Sequence, residues 1–214
     1  MNDRHFEIRL CLTCGLRFPR EQTQSFGLRC PHCLGETKIV YQKTIQKEEM
    51  TRQKINNQSE MVYAVLLDNI RSAWNVGSIL RSADGFGFEH VYLCGITPTP
   101  ENEAVKKTSL RAEESLTWSY HKDAVELVKQ LKVEGWQVFA LEEYSSAVSI
   151  RNRKSVSSGQ KTVLILGSEV TGVDADLLSL CDEIFYIPMQ GEKRSLNVAI
   201  AFSVAAFALR QNSE

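Results

Sequence analysis

The sequence contains no apolar run that approaches the roughly 20 residues needed to cross a lipid bilayer. Its first ten residues are mostly charged or polar, and they lack the apolar core of a secretory signal. These two absences predict a cytoplasmic protein with no membrane partner. In that compartment the six cysteines are expected to be reduced thiols or metal ligands rather than disulfides.

The familiar catalytic fingerprints are missing as well. No G-x-G-x-x-G follows the first strong strand pattern, where the only nearby glycines are Gly85 and Gly87 at a predicted helix end. The sequence also has no phosphate-binding loop, no H-E-x-x-H and no G-x-S-x-G. The common dinucleotide, nucleoside triphosphate, metalloprotease and serine hydrolase signatures are therefore excluded.

The length and charge distribution of the sequence suit an ordinary globular protein with two parts. The 214 residues allow one domain of about 150 residues and a smaller appendage. The net charge of −1 hides an asymmetry, since residues 1–54 hold 10 basic and 6 acidic side chains, while residues 55–214 hold 15 and 20. A basic appendage on an acidic body suits contact with a phosphate backbone, although scatter in surface charge remains an alternative.

Two C-x-x-C pairs dominate the front of the chain. Cys11 and Cys14 are followed, after 15 residues, by Cys30 and Cys33, a spacing typical of a four-thiolate zinc site. Such a closed site leaves no position for substrate, so the metal is predicted to be structural. A redox C-x-x-C, a disulfide and a site that has lost its metal are the alternatives, and His32 is interpreted as a bystander or a phosphate contact.

The predicted zinc module, residues 1–41, carries candidate groups for RNA binding. Guanidinium and aromatic side chains grip phosphates and stack on bases, and the module offers Arg9, Arg17, Arg20, Arg29, Phe18 and Phe26. The two phenylalanines could instead form its small core. Residues 42–60 are polar and predict a linker, and residues 61–214 form the main domain.

The main domain alternates short apolar runs with helical patterns, which predicts an α/β domain with a parallel sheet covered on both faces. Glycines or capping aspartates mark the helix ends. The last helix is apolar around nearly its whole circumference, so burial by the sheet and by a second subunit is expected. Strands are predicted at 62–67, 90–94, 136–141, 162–166 and 184–187, and helices at 77–84, 123–134, 174–181 and 197–210.

Three loops hold unusual polar clusters, and ligands of such sheets bind beyond the carboxyl ends of the strands. Each cluster has an ordinary structural alternative as a helix cap, a helix arginine or a glycine turn. The clusters are Asn75-x-Gly77-x-x-x-Arg81-Ser82-Ala83, then Gly167-Ser168-Glu169-x-x-Gly172, then Ile187-Pro188-Met189 followed by Ser195-Leu196-Asn197-Val198-Ala199.

In this order the clusters resemble the three motifs of the SpoU/TrmH family within the SPOUT superfamily, over Val62 to Leu209. The segment from Lys107 to Glu114 and Trp118 share in the resemblance. It implies an α/β fold with a C-terminal trefoil knot, a homodimer, bound S-adenosylmethionine and transfer of a methyl group to a ribose 2′-hydroxyl of tRNA or rRNA. The sequence does not distinguish the two RNAs or the nucleotide.

The resemblance also implies roles for single residues. Arg81 corresponds to the catalytic arginine, and Asn75, Glu169, Ser195 and Asn197 line the catalytic pocket. Two departures from the family pattern are Val170 and Arg111, which stand where many relatives have glycine. The residues expected to hold the cofactor are Gly167, Ile187 and Leu196 through backbone groups, with Ala140, Leu141 and Met189 beside them.

Methyl transfer requires the ribose hydroxyl to be aimed in line at the methyl carbon. A guanidinium stays protonated near neutral pH, so we expect Arg81 to orient the hydroxyl and stabilise charge rather than to act as a base. Two rival classes remain open at this point. One is a non-catalytic, zinc-containing RNA-binding protein on a methyltransferase-like body, and the other is a zinc hydrolase, which a closed four-cysteine site disfavours.

Overall fold

A computed structural model describes residues 4–22, 27–45, 61–153, 159–192 and 194–211 of the chain. The chain divides into two compact units, Met1–Asn57 and Gln58–Glu214. Among the described residues, no helix has both the length and the apolar character needed to span a membrane.

The N-terminal unit is built on a three-stranded antiparallel sheet in the order β2-β1-β3. Its strands are β1 (Arg4–Cys11), β2 (Arg17–Glu21) and β3 (Thr37–Ile45), and the pairing of β1 with β3 is irregular between Ile8 and Arg9. The prediction of a linker from residue 42 is wrong for residues 42–45, because β3 runs through them. The rest of that predicted linker, residues 46–60, lies outside the described residues, as does Phe26.

The second unit is a seven-stranded parallel sheet in the order β6-β5-β4-β9-β7-β10-β8. All five predicted strands are found, with ends shifted by a residue or so. The prediction missed two strands at the opposite edges of the sheet. The strands are β4 (Val62–Asp68), β5 (His90–Cys94), β6 (Thr117–His121), β7 (Gln137–Leu141), β8 (Val148–Ser149), β9 (Lys161–Leu166) and β10 (Glu183–Tyr186).

Helices cover both faces of this sheet, as the apolar runs predict. One apolar cluster joins the sheet to α1 and α5, and the other joins it to α3 and α4. The four predicted helices are found, and α2 was missed. The helices are α1 (Ala73–Gly85), α2 (Glu103–Ser109), α3 (Ala124–Val133), α4 (Ala175–Leu180) and α5 (Val198–Gln211).

Helix α1 begins four residues before the predicted start at Gly77. The Ser72 side chain accepts a hydrogen bond from the Asn75 amide, so a serine cap starts the helix, and Asn75 lies within its first turn. Gly77 is the point where α1 contacts α2, since a Cβ there would overlap the Thr108 side chain and the Val105 carbonyl. The trefoil knot that the resemblance implies stays a prediction.

Candidate functional site

A cavity of about 940 Å³ opens where three adjacent parallel strands end, namely β9, β7 and β10. Parallel strands place their carboxyl ends at one edge, so the loops that follow them meet there. A volume of this size accommodates a nucleoside-sized ligand. Eight of the eleven residues predicted for catalysis and cofactor binding line the cavity: Leu141, Gly167, Glu169, Ile187, Met189, Ser195, Leu196 and Asn197.

Ala140 does not line the cavity. It is fully buried in β7 and belongs to the apolar cluster under α3 and α4. Its neighbour Leu141, at the end of the strand, is the residue that reaches the cavity wall. The cavity wall at the end of β7 is therefore formed by Leu141, and the predicted place of Ala140 beside the cofactor stays a prediction.

The loop after β9 folds back tightly on itself. The Gly172 amide donates to the Ser168 carbonyl at 2.9 Å, and a Cβ on Gly167 would overlap the backbone of Gly172 and Val173. Only glycine therefore fits at position 167 in this loop conformation. Gly172 has a φ of +72°, whereas Val170 is not among the residues with positive φ, so its replacement of a glycine does not strain the turn.

Glu169 fastens this loop to the start of α1. Its carboxylate accepts hydrogen bonds from the Arg71 amide at 3.0 Å, the Ser72 amide at 3.4 Å and the Asn75 side chain at 2.9 Å. Burial raises the pKa of Glu169, but these hydrogen bonds outweigh it and hold the pKa below the ordinary value of 4.5. A carboxylate bound in this way is suited to positioning the loop, and it is poorly suited to accepting a substrate proton.

Asn75 and Asn197 extend this network to the start of the last helix. The Asn197 side chain donates to the Asn75 side chain at 3.0 Å and accepts from the Ala199 amide at 3.0 Å. The network therefore ties the starts of α1 and α5 to the loop that contains Glu169. It brings together three of the five predicted catalytic residues, and Ser195 lies nearby on the cavity wall.

Glu142 is a cavity residue that the sequence reasoning missed. It directly follows β7, and its carboxylate accepts a hydrogen bond from the Val173 amide at 2.9 Å. It therefore fixes the far end of the loop that Glu169 holds at the other end. Its position after the carboxyl end of a parallel strand is a signal that could have identified it. Arg194 and Tyr186 also line the cavity and were missed.

Arg81 does not reach this cavity within its own chain. It lies six residues after Asn75 on α1, about 9 Å along the helix axis. There it lines a second cavity of about 520 Å³ with Lys107, Thr108 and three further residues, none of which lines the first cavity. Its guanidinium is exposed and makes no hydrogen bond or ion pair with the residues that the structure describes.

Two consecutive residues beside Arg81 have left-handed backbone conformations. Leu110 has a φ of 51° and Arg111 a φ of 74°. Glycine adopts this conformation more readily than arginine does, so the backbone at position 111 suits the glycine that the resemblance implies there. The side chain of Arg111 forms an ion pair with Glu114 at 2.8 Å, and both side chains are exposed.

The four predicted metal ligands come together in the N-terminal unit. The sulfur atoms of Cys11, Cys14, Cys30 and Cys33 all lie within 4.8 Å of one another. Zinc bound tetrahedrally at about 2.3 Å would space its sulfur ligands by about 3.8 Å, so the cluster fits this metal. Hydrogen bonds from the Cys14 and Thr13 amides outweigh burial and lower the pKa of the Cys11 thiol to about 6, whereas the neighbouring thiols raise the pKa of Cys14 and of Cys33, so a bound cation would be needed to hold all four sulfurs as thiolates.

Of the remaining cysteines, Cys94 is fully buried in β5, and Cys181 is partly buried against the apolar cluster under α3 and α4. Burial raises the pKa of both Cys94 and Cys181 to about 12.

Two of the arginines predicted to contact phosphate are otherwise engaged. Glu7 is buried, and its carboxylate accepts hydrogen bonds from Arg9 at 2.6 Å and from Arg20 at 2.9 Å. The prediction that Arg9 and Arg20 offer free guanidinium groups is therefore wrong. Arg29 donates to the Leu34 carbonyl, and Arg17 remains exposed without such a contact among the described residues.

The parallel sheet, its two helical layers and the cavity at the ends of three strands define an α/β fold of the SPOUT methyltransferase class. Residues 63–207 match the model of the SpoU rRNA Methylase family, which is more than half of the chain. The chain belongs to this family.

Several relatives show how the similarity is distributed. The tRNA (guanosine(18)-2′-O)-methyltransferase of Thermus thermophilus is 31% identical over 67% of this chain and 71% of that protein. The 23S rRNA (guanosine(2553)-2′-O)-methyltransferase of Bacillus subtilis is 29% identical over 68% of this chain and 57% of that protein. The crystal structure of an AdoMet-bound rRNA methyltransferase from Sinorhizobium meliloti has a TM-score of 0.66 and 26% identity, over 70% of this chain and 56% of that chain.

Proposed function

We propose that this protein transfers a methyl group from S-adenosylmethionine to a ribose 2′-hydroxyl of tRNA or rRNA. Family membership and the 940 Å³ cavity carry the proposal, because every residue that lines the cavity lies within residues 63–207, the range that matches the family model. The cofactor, when bound, supplies a methyl group activated on a sulfonium. A cytoplasmic location belongs to the proposal, because the substrate is RNA and the cysteines are assigned to a metal site and to the apolar core rather than to disulfides.

The chain's own residues would bind the cofactor and orient the ribose hydroxyl. Gly167, Ile187 and Leu196 line the cavity and would hold the cofactor through their backbone groups, with Leu141 and Met189 against the apolar surface of the cofactor. Glu169 and Asn197 keep the loops in place through the Asn75 network. Arg81 would orient the ribose hydroxyl and the adjacent phosphate.

The position of Arg81 requires a homodimer in this proposal. Helix α5 exposes an apolar stripe at Ile200, Val204 and Phe207, of which Ile200 and Phe207 are 55% and 52% exposed. The Ser82 and Ser203 hydroxyls lie 2.8 Å apart, so the stripe runs beside the residue that follows Arg81. Val198 and Ala201 of the same helix line the cavity, so a second copy that packs on the stripe through its own α5 would bring its cavity close to Arg81.

Arg81→Ala tests the catalytic assignment. We expect turnover of tritium-labelled methyl groups into unmodified total RNA to fall by about 10²–10³-fold, as expected when one charge-stabilising donor is removed. The affinity for S-adenosylmethionine should stay within a few fold, because Arg81 lies outside the cavity. Normal turnover in this variant would refute the assignment.

Mixed dimers test whether Arg81 acts across the interface. Gly167→Ala should weaken cofactor binding. At a cofactor concentration that saturates Arg81→Ala but not Gly167→Ala, a dimer of one chain of each variant therefore keeps one working site only if the arginine comes from the partner. Random pairing of equal amounts should then restore about a quarter of wild-type activity. An inactive mixture, with mixed dimers shown by mass spectrometry, would mean that the arginine acts within its own chain.

The RNA substrate is tested by mapping 2′-O-methylation on tRNA and rRNA from cells with and without the protein. A single position that loses its mark and regains it on adding the purified protein would identify the substrate. If no position changes, and the purified protein binds the cofactor yet methylates neither RNA, the methyltransferase proposal is wrong.

A further inference from the structure

The two faces of the N-terminal sheet differ in how their charged groups are used. Residues directly opposite each other in antiparallel strands share a face, so the register assigns each side chain. On one face, Glu7 of β1 opposes Arg20 of β2 and lies beside Arg9. These three side chains form a buried ion-pair cluster, and the two guanidinium groups are therefore committed within the module.

The opposite face carries cations without such partners. Ile8 pairs with Tyr41, Leu10 pairs with both Arg17 and Lys38, and the next pair towards the end of β3 includes Lys43. Among the described residues, Arg17, Lys38 and Lys43 make no side-chain hydrogen bond or ion pair. We call this surface, made of Ile8, Leu10, Arg17, Lys38, Tyr41 and Lys43, the Tyr41 face.

The centre of the Tyr41 face is apolar and accessible. Tyr41 is 56% exposed, and Ile8 and Leu10 are only half-buried, so no layer of the described part of this unit covers them. Three cations surround this centre, and a single acidic residue, Glu21, shares the face. An exposed aromatic ring beside three exposed cations combines the two groups that bind single-stranded nucleic acids, a stacking platform and phosphate contacts.

We propose that the Tyr41 face binds single-stranded RNA, with Tyr41 stacked on a base and Lys38, Lys43 and Arg17 contacting neighbouring phosphates. The proposal rests on the proposed function, which makes RNA the substrate. The strand from Lys38 to Lys43 is about 16 Å long, enough for a few nucleotides. The face carries three cations and one carboxylate and so attracts a polyanion, whereas residues 55–214, with 20 acidic and 15 basic side chains, supply no net attraction of this kind.

The test uses the full chain, loaded with zinc, and a fluorescent single-stranded RNA 12-mer of mixed sequence. Binding is measured by anisotropy over a series of salt concentrations. Each phosphate contact in a single strand contributes about 0.7 to the slope of log K against log salt. Lys38→Gln combined with Lys43→Gln should therefore lower the slope by roughly 1.4. Tyr41→Ala should weaken binding by about tenfold with little change in slope, since stacking is not a charge effect.

Gln42→Glu is the matched control. It adds an acidic group on the same strand but on the opposite face, where Gln42 pairs with Glu7. It should change the affinity and the salt slope less than the double lysine variant does. Zinc content and S-adenosylmethionine affinity are measured for every variant and should stay at wild-type values. Lysine side chains that extend into solvent do not contribute to the metal site. The double lysine variant therefore still tests the proposal if Tyr41→Ala loses zinc.

Equal slopes for the double lysine variant and the control would overturn the proposal. The proposal would also be overturned if Tyr41→Ala lowered the unfolding temperature of the second unit and left RNA binding unchanged. The Tyr41 face would then be a protein interface. Failure of the proposed function can be told apart from failure of this proposal. In that case the wild-type protein would show no methyl transfer or no cofactor binding, whatever the result with the 12-mer.

Discussion

Gly167→Ala is the sharpest test of the cavity. A Cβ at this position would lie closer than 3.0 Å to backbone atoms of Gly172 and Val173, a separation that real Cβ atoms essentially never show. Backbone atoms cannot rotate away as a side chain can, so the loop between residues 167 and 173 must move. Overpacking of this kind costs about 1–3 kcal/mol.

The structure indicates where this free energy will appear. Glu169 and Glu142 hold the loop at both ends through hydrogen bonds to backbone amides, so the loop can relax only by breaking some of them. If the loop relaxes, the affinity for S-adenosylmethionine should fall by roughly 5- to 140-fold, the equivalent of 1–3 kcal/mol. If the loop keeps its shape, the same free energy should be lost from the stability of the fold.

The assay combines calorimetric titration of S-adenosylmethionine with urea unfolding. Gly85→Ala is the control, because Gly85 lies at the end of α1 outside the cavity, has no positive φ and would meet no atom within 4 Å beyond its own helix and chain neighbours. Its affinity should match the wild type, and its stability should not fall. If Gly167→Ala behaved like Gly85→Ala in both measurements, the inferred loop conformation and its place in the cofactor site would be wrong.

Three other perturbations have equally definite outcomes. The pKa of Glu169 is lowered on folding, so its contribution to stability is present above the ordinary value of 4.5 and is lost as the pH falls through the lowered value. The unfolding temperature of Glu169→Gln should be below that of the wild type at neutral pH and should converge with it in acid; a constant difference at every pH would contradict this. Leu110→Gly should stabilise the fold by about 0.5–1 kcal/mol by relieving a left-handed backbone, whereas Val133→Gly, at the exposed end of α3, should destabilise it. Both changes are measured by thermal unfolding, and equal losses would show that Leu110 is not strained. Removal of zinc by a chelator should unfold the N-terminal sheet and leave the cofactor affinity unchanged; circular dichroism and calorimetry check this, and a sheet that survives without metal would refute a structural role.

The apolar strand runs and the motif loops were enough to predict most of the fold. Runs such as Val62–Leu67 are buried on both faces in the structure, which is the property that makes a central parallel strand recognisable. Strands β6 and β8 were missed because they lie at the sheet edges, where part of each strand stays exposed and its pattern is mixed. Helix α2 was missed because it is short and has only two buried residues.

The sequence by itself determined the residue types of the site, because the spacing of four cysteines and the three polar loops are local properties of the chain. Only the tertiary structure decided which of them meet. The parallel order β9-β7-β10 brings three distant loops to one edge and makes Glu142 a cavity residue. The rigid length of α1 keeps Arg81 in a separate cavity, and the strand register commits Arg9 and Arg20 to Glu7, because such pairings depend on which segments lie side by side.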